Sequence, residues 1–314
     1  MANLTVEANP HIRSGNTTQS VMRDVIIALL PTLVASVVIF GVDALLLTAV
    51  CVISCVLFEY LSRKIMKKSN TISDMSAVVT GIILAFNLPS TLPWYMAVIG
   101  SFVAIVIVKQ FFGGLGQNFA NPAIVGRIVL MFSFTSAMTK WVAPVRFVAD
   151  ATATATPLEL LDAGKALNLK DLFLGLHSGC LGETCALTLI LGGIYLVARR
   201  VISPATPLSF IGTVAVCSFI TGGDPLVQIL TGGILLGAIF MATDYATTPM
   251  TFMGKIIFGI GCGLITFIIR QFSSSYTEGV SFSILLMNIV TPYIDMLTRP
   301  KPLGAKKPEK EATK

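Results

Sequence analysis

Three threonines, Thr152, Thr154 and Thr156, alternate with alanine ahead of a proline in the stretch "VADATATATPLELL" (148–161). A hydroxyl flanked by small side chains leaves room for a bulky group to be esterified to it. Thr156 also reads as a helix N-cap. Pro157 then takes the first helical position, and Glu159 completes a capping box before Leu160 and Leu161. A phosphate on Thr156 would meet the amides and positive dipole end of that helix. Capping accounts for Thr156, Pro157 and Glu159. It does not account for Asp150 or for the run of small residues, so both readings stand together.

Two further stretches hold polar groups between apolar runs. In "GGLGQNFANPAIVGR" (113–127) the glycines permit a non-helical backbone, and Asn118 and Asn121 offer amide donors and acceptors suited to a polar ring edge. The plain alternative is a turn in which Asn121 precedes the helix-starting Pro122. Arg127 lies one turn inside the next apolar run. An ionisable group there is a functional candidate, but it is expected to snorkel to the inner surface. "MATDYATTPMT" (241–251) carries Asp244, which could serve a cation path or cap a helix end beside Pro249.

Several classes of chemistry find no support. His11 and His177 lack metal-ligand spacing, so no metal site is expected. The six cysteines (Cys51, Cys55, Cys180, Cys185, Cys217, Cys262) form no C-x-x-C pair. Cys51 and Cys55 share a helix face, Cys217 and Cys262 suit a core, and a Cys180–Cys185 disulfide is left open. There is no Walker loop, GxGxxG element or nucleophile elbow, which argues against an ATP-driven pump or a hydrolase.

The elements that must position these residues are transmembrane helices. Among 314 residues 54% are hydrophobic and 12% charged, with a mean hydropathy of +0.82. Soluble chains carry about 25% charged residues. Apolar runs near the ~20 residues that cross a bilayer recur along the chain, without the dyad alternation of a barrel. The fold class expected is an all-α polytopic membrane protein. Its ten spans are 25–41, 43–61, 75–88, 94–111, 123–139, 182–199, 206–221, 226–243, 254–271 and 280–297. The third is short and ends at Pro89, as a broken or re-entrant helix would. The polar first 24 residues lack a cleavable signal core, so insertion by the first span is expected.

Charge sets the orientation. Arg13 and Arg23, Arg63 to Lys68, Arg199 with Arg200, Lys255 and the basic tail all fall on one side if both termini are cytoplasmic. The net charge of +6 therefore orients the chain in a lipid bilayer and does not indicate nucleic acid. The chain divides into a cytoplasmic segment 1–24, five helices over 25–139, an outer loop 140–181, five helices over 182–297 and a basic cytoplasmic tail 298–314. "VVTGIILAF" (78–86) is echoed by "ILTGGILLGAIF" (229–240). With an odd number of spans per half, two copies must insert with opposite orientation, as inverted repeats do. That plan alone suits a flavin-free solute channel or secondary transporter. A structural subunit without cofactor is a third reading.

"NPHIRSGNTTQSVMRDVIIALLPTL" (9–33), "VTGIILAFNLP" (79–89), "GGLGQNFANPAIVGR" and "MATDYATTP", in that order, resemble the D-subunit family of the Rnf complex. That complex is an ion-translocating ferredoxin:NAD⁺ oxidoreductase, and its D subunit is similar to the B subunit of the sodium-pumping NADH:quinone oxidoreductase. The resemblance runs from residue 9 to about 297. The chain lacks the long N-terminal extension associated with the quinone-reductase subunit, which favours the Rnf side.

The resemblance implies FMN esterified through its phosphate to Thr156, in a pattern like Asp-x-x-Ser-Gly-Ala-Thr. Asp150, Ala155 and Thr156 match it and Pro157 follows, whereas Ala153 and Thr154 replace the usual Ser-Gly. Thr154 is then an alternative acceptor. A noncovalent riboflavin is also implied, lined by Thr80, Asn118 and Asn121. The implied role is an enzyme subunit, incomplete alone, relaying electrons between reduced ferredoxin and NAD⁺ with coupled Na⁺ or H⁺ translocation. Other membrane and peripheral subunits of the complex and a flavin transferase would be its partners. It would sit in the cell inner (cytoplasmic) membrane with FMN on the outer face. No motif in the chain binds ferredoxin or NAD⁺ by itself.

Overall fold

The computed structural model describes residues 17–142, 144, 156–162, 168–183, 185–272 and 279–300. Helix α1 (Thr18–Phe40) starts at a capping box in which the Ser20 amide donates to Thr17 Oγ1 at 3.2 Å and the Thr17 amide to Ser20 Oγ at 3.1 Å. These caps satisfy first-turn donors, so the helix begins at Thr18 rather than at residue 25. Gly41, with a φ of +82° open to glycine, turns the chain into α2 (Val42–Ile65). A short 3₁₀ turn (Ile72–Asp74) and left-handed Met75 then lead into α3 (Ser76–Phe86).

Helix α4 (Trp94–Phe102) continues as a π-helical segment, Val103–Gln110. Helices α5 (Pro122–Ser133) and α6 (Thr135–Met138) together cover the expected fifth span, with a break at Phe134. Short helices α7 (Pro157–Asp162) and α8 (Leu169–Leu174) fall within the long connection. Helices α9 (Ala186–Ala198) and α10 (Ala205–Ile220) follow. The eighth apolar run is split into α11 (Pro225–Leu230), α12 (Ile234–Leu236) and a π-helical segment, Gly237–Met241. Helices α13 (Phe252–Phe272) and α14 (Val280–Thr298) complete the described chain.

Among the described residues four helices (α1, α2, α13, α14) are long and apolar enough to cross a membrane, and five shorter apolar helices accompany them. Among the described residues there is no strand. Val34, Ile53 and Phe219 are 62%, 67% and 76% exposed, so the outer surface is apolar where a soluble protein would be charged. Helix α1 packs on α9 and α5 on α14, while α2 packs on α3 and α4, and α10 on α13. Small residues let these backbones approach, as membrane helix interfaces require. A Cβ at Gly81 of α3 would lie 2.7 Å from Val52 Cα of α2, and one at Gly192 of α9 would strike the Ala28 carbonyl of α1.

Three sequence expectations meet the structure. The third run is short as expected, α3 ending at Phe86 before Pro89, and a break within a run appears in the eighth. Thr80 and Gly81 sit inside continuous α3, whereas Gly232 and Gly233, at φ +65° and +68°, break α11 from α12. The added glycine supplies left-handed backbone that the first copy lacks. Secondly, residues 140–181 are not wholly an exposed outer loop, since Cys180 and Leu181 are buried. The Leu181 and Gly182 amides donate to the Leu88 and Phe86 carbonyls (3.1 and 2.9 Å), filling acceptors left open where α3 stops. Thirdly, Arg127 does not snorkel. It is buried, and its Nη1 donates to Asn87 Oδ1 at 2.7 Å. A guanidinium this deep is held by acceptors at the end of α3, which a sequence cannot place beside it. Cys180 and Cys185 form no disulfide, and both are buried.

Candidate functional site

Helix α3, the 113–121 loop and the interrupted 225–241 element meet around a small cavity of about 80 Å³ that opens into a wider mouth. Thr80, Asn118, Asn121 and Asp244 all line it. Residues from three separate stretches of sequence are thus gathered on one wall system, with Lys109 and Ile239 between them.

The loop geometry explains how. Asn121 is the N-cap of α5, its Oδ1 accepting from the Ala123 amide at 3.1 Å, with Pro122 at the first helical position. Its Nδ2 donates to the Met241 carbonyl at 3.4 Å, tying the start of α5 to the end of the interrupted element. Asn121 is therefore spent on structure, and the plain turn reading holds for it. Asn118 differs. It is buried, and its Oδ1 has no hydrogen-bond partner among the described residues. A buried amide oxygen left unpaired is costly, and a polar ligand in the cavity would relieve that cost. Thr80 hydroxyl donates to the Ser76 carbonyl at 3.0 Å and keeps its oxygen lone pairs near the cavity.

Asp244 sits in the turn after Met241. Thr247 Oγ1 donates to Asp244 Oδ2 at 3.3 Å, and Thr248 Oγ1 to the Asp244 carbonyl at 2.5 Å. Tyr245 closes one side by donating its hydroxyl to the Val201 carbonyl. A second cavity beyond it shares Asp244 and Tyr245 and is lined by Arg200 and Lys255.

Sequence reading missed a charged pair in the cavity wall. Lys109, on the π-helical segment, reaches Glu59 of α2 with Nζ to Oε2 at 2.7 Å, and both side chains are buried. Nζ also donates to Ser76 Oγ at 2.6 Å. Thr71 Oγ1 donates to the other Glu59 oxygen at 2.7 Å, and Ser76 Oγ to Asp74 Oδ1 at 2.6 Å. The signal was present: each is an ionisable residue within an apolar run, which marks a functional candidate.

Thr156 lies elsewhere in the fold. Its carbonyl accepts from the Leu160 amide at 3.0 Å, which places it at the head of α7 directly before Pro157. Thr156 and Leu158 are buried. The space a Cβ on Gly232 would fill is taken by Leu158 and the Arg270 guanidinium. Arg270 in turn donates to the carbonyls of Gln228 (2.8 Å), Thr231 (2.9 Å) and Gly232 (3.1 Å), capping the broken end of α11. The head of α7 is thereby seated on the break in the eighth span. Asp150, Ala155 and Thr154 lie outside the described residues. Among the described residues no cluster of three or more metal-ligating side chains occurs.

Known proteins share this sequence along almost its whole length. A model of the NQR2, RnfD, RnfE family matches residues 5–304. The chain is 50% identical to the D subunit of the Na⁺-translocating ferredoxin:NAD⁺ oxidoreductase complex of Acetobacterium woodii, over 99% of this chain and 98% of that one. It is 41% identical to the D subunit of the proton-translocating ferredoxin:NAD⁺ oxidoreductase complex of Clostridium ljungdahlii, over 96% and 97%. With the D subunit of the ion-translocating oxidoreductase complex of Escherichia coli it shares 32% identity, over 96% and 99%. This chain belongs to the NQR2, RnfD, RnfE family.

Proposed function

We propose that the chain is the D-type membrane subunit of an ion-translocating ferredoxin:NAD⁺ oxidoreductase, carrying FMN on Thr156 and a noncovalent riboflavin in the Asn118 cavity. The observation that carries this reading is that one interrupted element serves both places. Its glycine break lies under α7 at Leu158, and its far end at Ile239 and Asp244 lines the cavity.

Flavins accept and donate single electrons, and the protein supplies binding, orientation and electrostatics. The residues fit. Asn118 Oδ1 is an orphaned acceptor at the cavity, and Thr80 adds a hydroxyl. Thr156, buried at the head of a proline-started helix, supplies the hydroxyl next to the small-residue run. The ten-span plan with both termini cytoplasmic and Thr156 outside belongs to the same proposal. Cross-packing of α1 on α9 and of α5 on α14 pairs the first and last spans of two five-helix halves, as inverted repeats would. The relatives are named for Na⁺ in one case and protons in another. Asp244 is proposed on the cation path of whichever ion this chain serves. Its partners would be the other complex subunits, a flavin transferase and the inner-membrane bilayer.

A flavin-free transporter would also contain an interrupted helix at a central cavity. Denaturing electrophoresis separates the two readings. The polypeptide expressed with a flavin transferase should keep a fluorescent flavin through the gel, and acid should extract about one riboflavin per chain. Asn118→Leu should lower the extractable pool at least tenfold and leave the gel fluorescence intact. A dark gel band and an empty extract would leave the transporter reading standing.

A further inference from the structure

The buried Glu59–Lys109 pair stands at the cavity and has been given no task. Lys109 has three ammonium donors. Glu59 Oε2 and Ser76 Oγ take two of them, and no described residue takes the third. Lys109 and Ser76 line the cavity, while Glu59 lies behind them and is not part of its wall. The pair is thus polarised, with its positive end toward the space and its negative end toward α2. Thr71 on Glu59 and Asp74 on Ser76 hold this arrangement, so the ammonium cannot swing away without breaking several bonds. Across the same cavity stands Asp244, the only acidic residue in its wall among the described residues.

Burying two charges is expensive, and replacing such a pair by neutral residues often costs nothing in stability. Retention at a cavity wall therefore calls for a use. A fixed positive charge in a low-dielectric wall acts strongly on any charge that develops beside it. We propose that Lys109 sets the one-electron reduction potential of the noncovalent flavin, raising it by favouring the added electron, and that Glu59 is the positioning residue that holds the ammonium at the wall. This rests on the assignment of the cavity to a flavin. No bond is made or broken: the ring gains one electron from the reductant, and the ammonium lowers the free energy of the resulting negative charge. Without Lys109 the wall would keep only the Asp244 carboxylate, so the sign of the change is fixed.

The test is a spectroelectrochemical titration with dithionite and mediators on the detergent-purified complex. Extractable riboflavin and gel fluorescence are measured on the same samples. The double variant Glu59→Gln with Lys109→Met removes both charges and strands neither. Its noncovalent flavin should be at least tenfold harder to reduce by one electron, a fall of 59 mV or more. Lys109→Arg keeps the charge and should stay near the parent potential. A structural role alone would not sort these variants by charge. Full riboflavin content with an unmoved potential in the double variant overturns the proposal. So does an equal fall in Lys109→Arg. Absence of extractable flavin from the parent protein overturns the cavity assignment itself, and this inference with it.

Discussion

At a threonine, a phosphoester needs only an oxygen and room, and the two can be separated by substitution. Valine at Thr156 is nearly isosteric but has no hydroxyl. Thr156→Val should therefore abolish the fluorescent gel band while the protein still inserts and assembles. Loss of the N-cap costs about 0.5–2 kcal/mol. That is too little to remove flavin by unfolding, especially as Leu158 and Arg270 continue to seat α7. Serine should retain part of the label. If Thr156→Val stays fluorescent and Thr154→Val goes dark, the acceptor is two residues upstream. Readability at this scale was uneven. Asn118 and Asn121 look alike in sequence, yet the structure spends Asn121 on a cap and a cross-link and leaves the Asn118 oxygen open. Lys109 and Glu59 are fifty positions apart, and only the fold shows that they form a pair.

Helices that cross one another closely must present small residues where they touch, and these positions give sharper tests than the apolar faces. Gly81 lies against the α2 backbone at Val52 with no flexible side chain to yield. Gly81→Val should force α3 away from α2 and destabilise the protein by about 1–3 kcal/mol, as overpacking does. Thermal unfolding in detergent should show this as a lower midpoint. Because α3 carries Thr80, riboflavin content should fall too. Gly212, whose neighbourhood is open, is the control: valine there should leave both readouts near parent values. Apolar run length located α1, α2, α13 and α14, the described helices long enough to cross a bilayer. What run length could not reveal was discontinuity. The 226–243 run is as apolar as its neighbours, and its break at Gly232 and Gly233 needs Arg270 of α13 to satisfy the freed carbonyls. That support is remote in sequence, as is the Leu181–Gly182 segment that closes the end of α3.

For the whole molecule, orientation decides which flavin meets which side of the membrane. The Asn118 cavity adjoins a second one lined by Arg200 and Lys255, beside basic connections, while Thr156 belongs to the long connection 140–181. If basic loops are cytoplasmic, the proposed riboflavin would lie near the inner surface and the proposed FMN near the outer. Site-directed labelling tests the arrangement directly. In a background without native cysteines, a cysteine at 165 should react with a membrane-impermeant maleimide added to intact cells. One at 307 should react only after the membrane is opened. Loss of the native thiols should be tolerated, since none of the six is held in a disulfide. The inverse labelling pattern would put Thr156 inside, beyond an outward-acting flavin transferase, and would reverse the proposed order of the two flavins across the membrane.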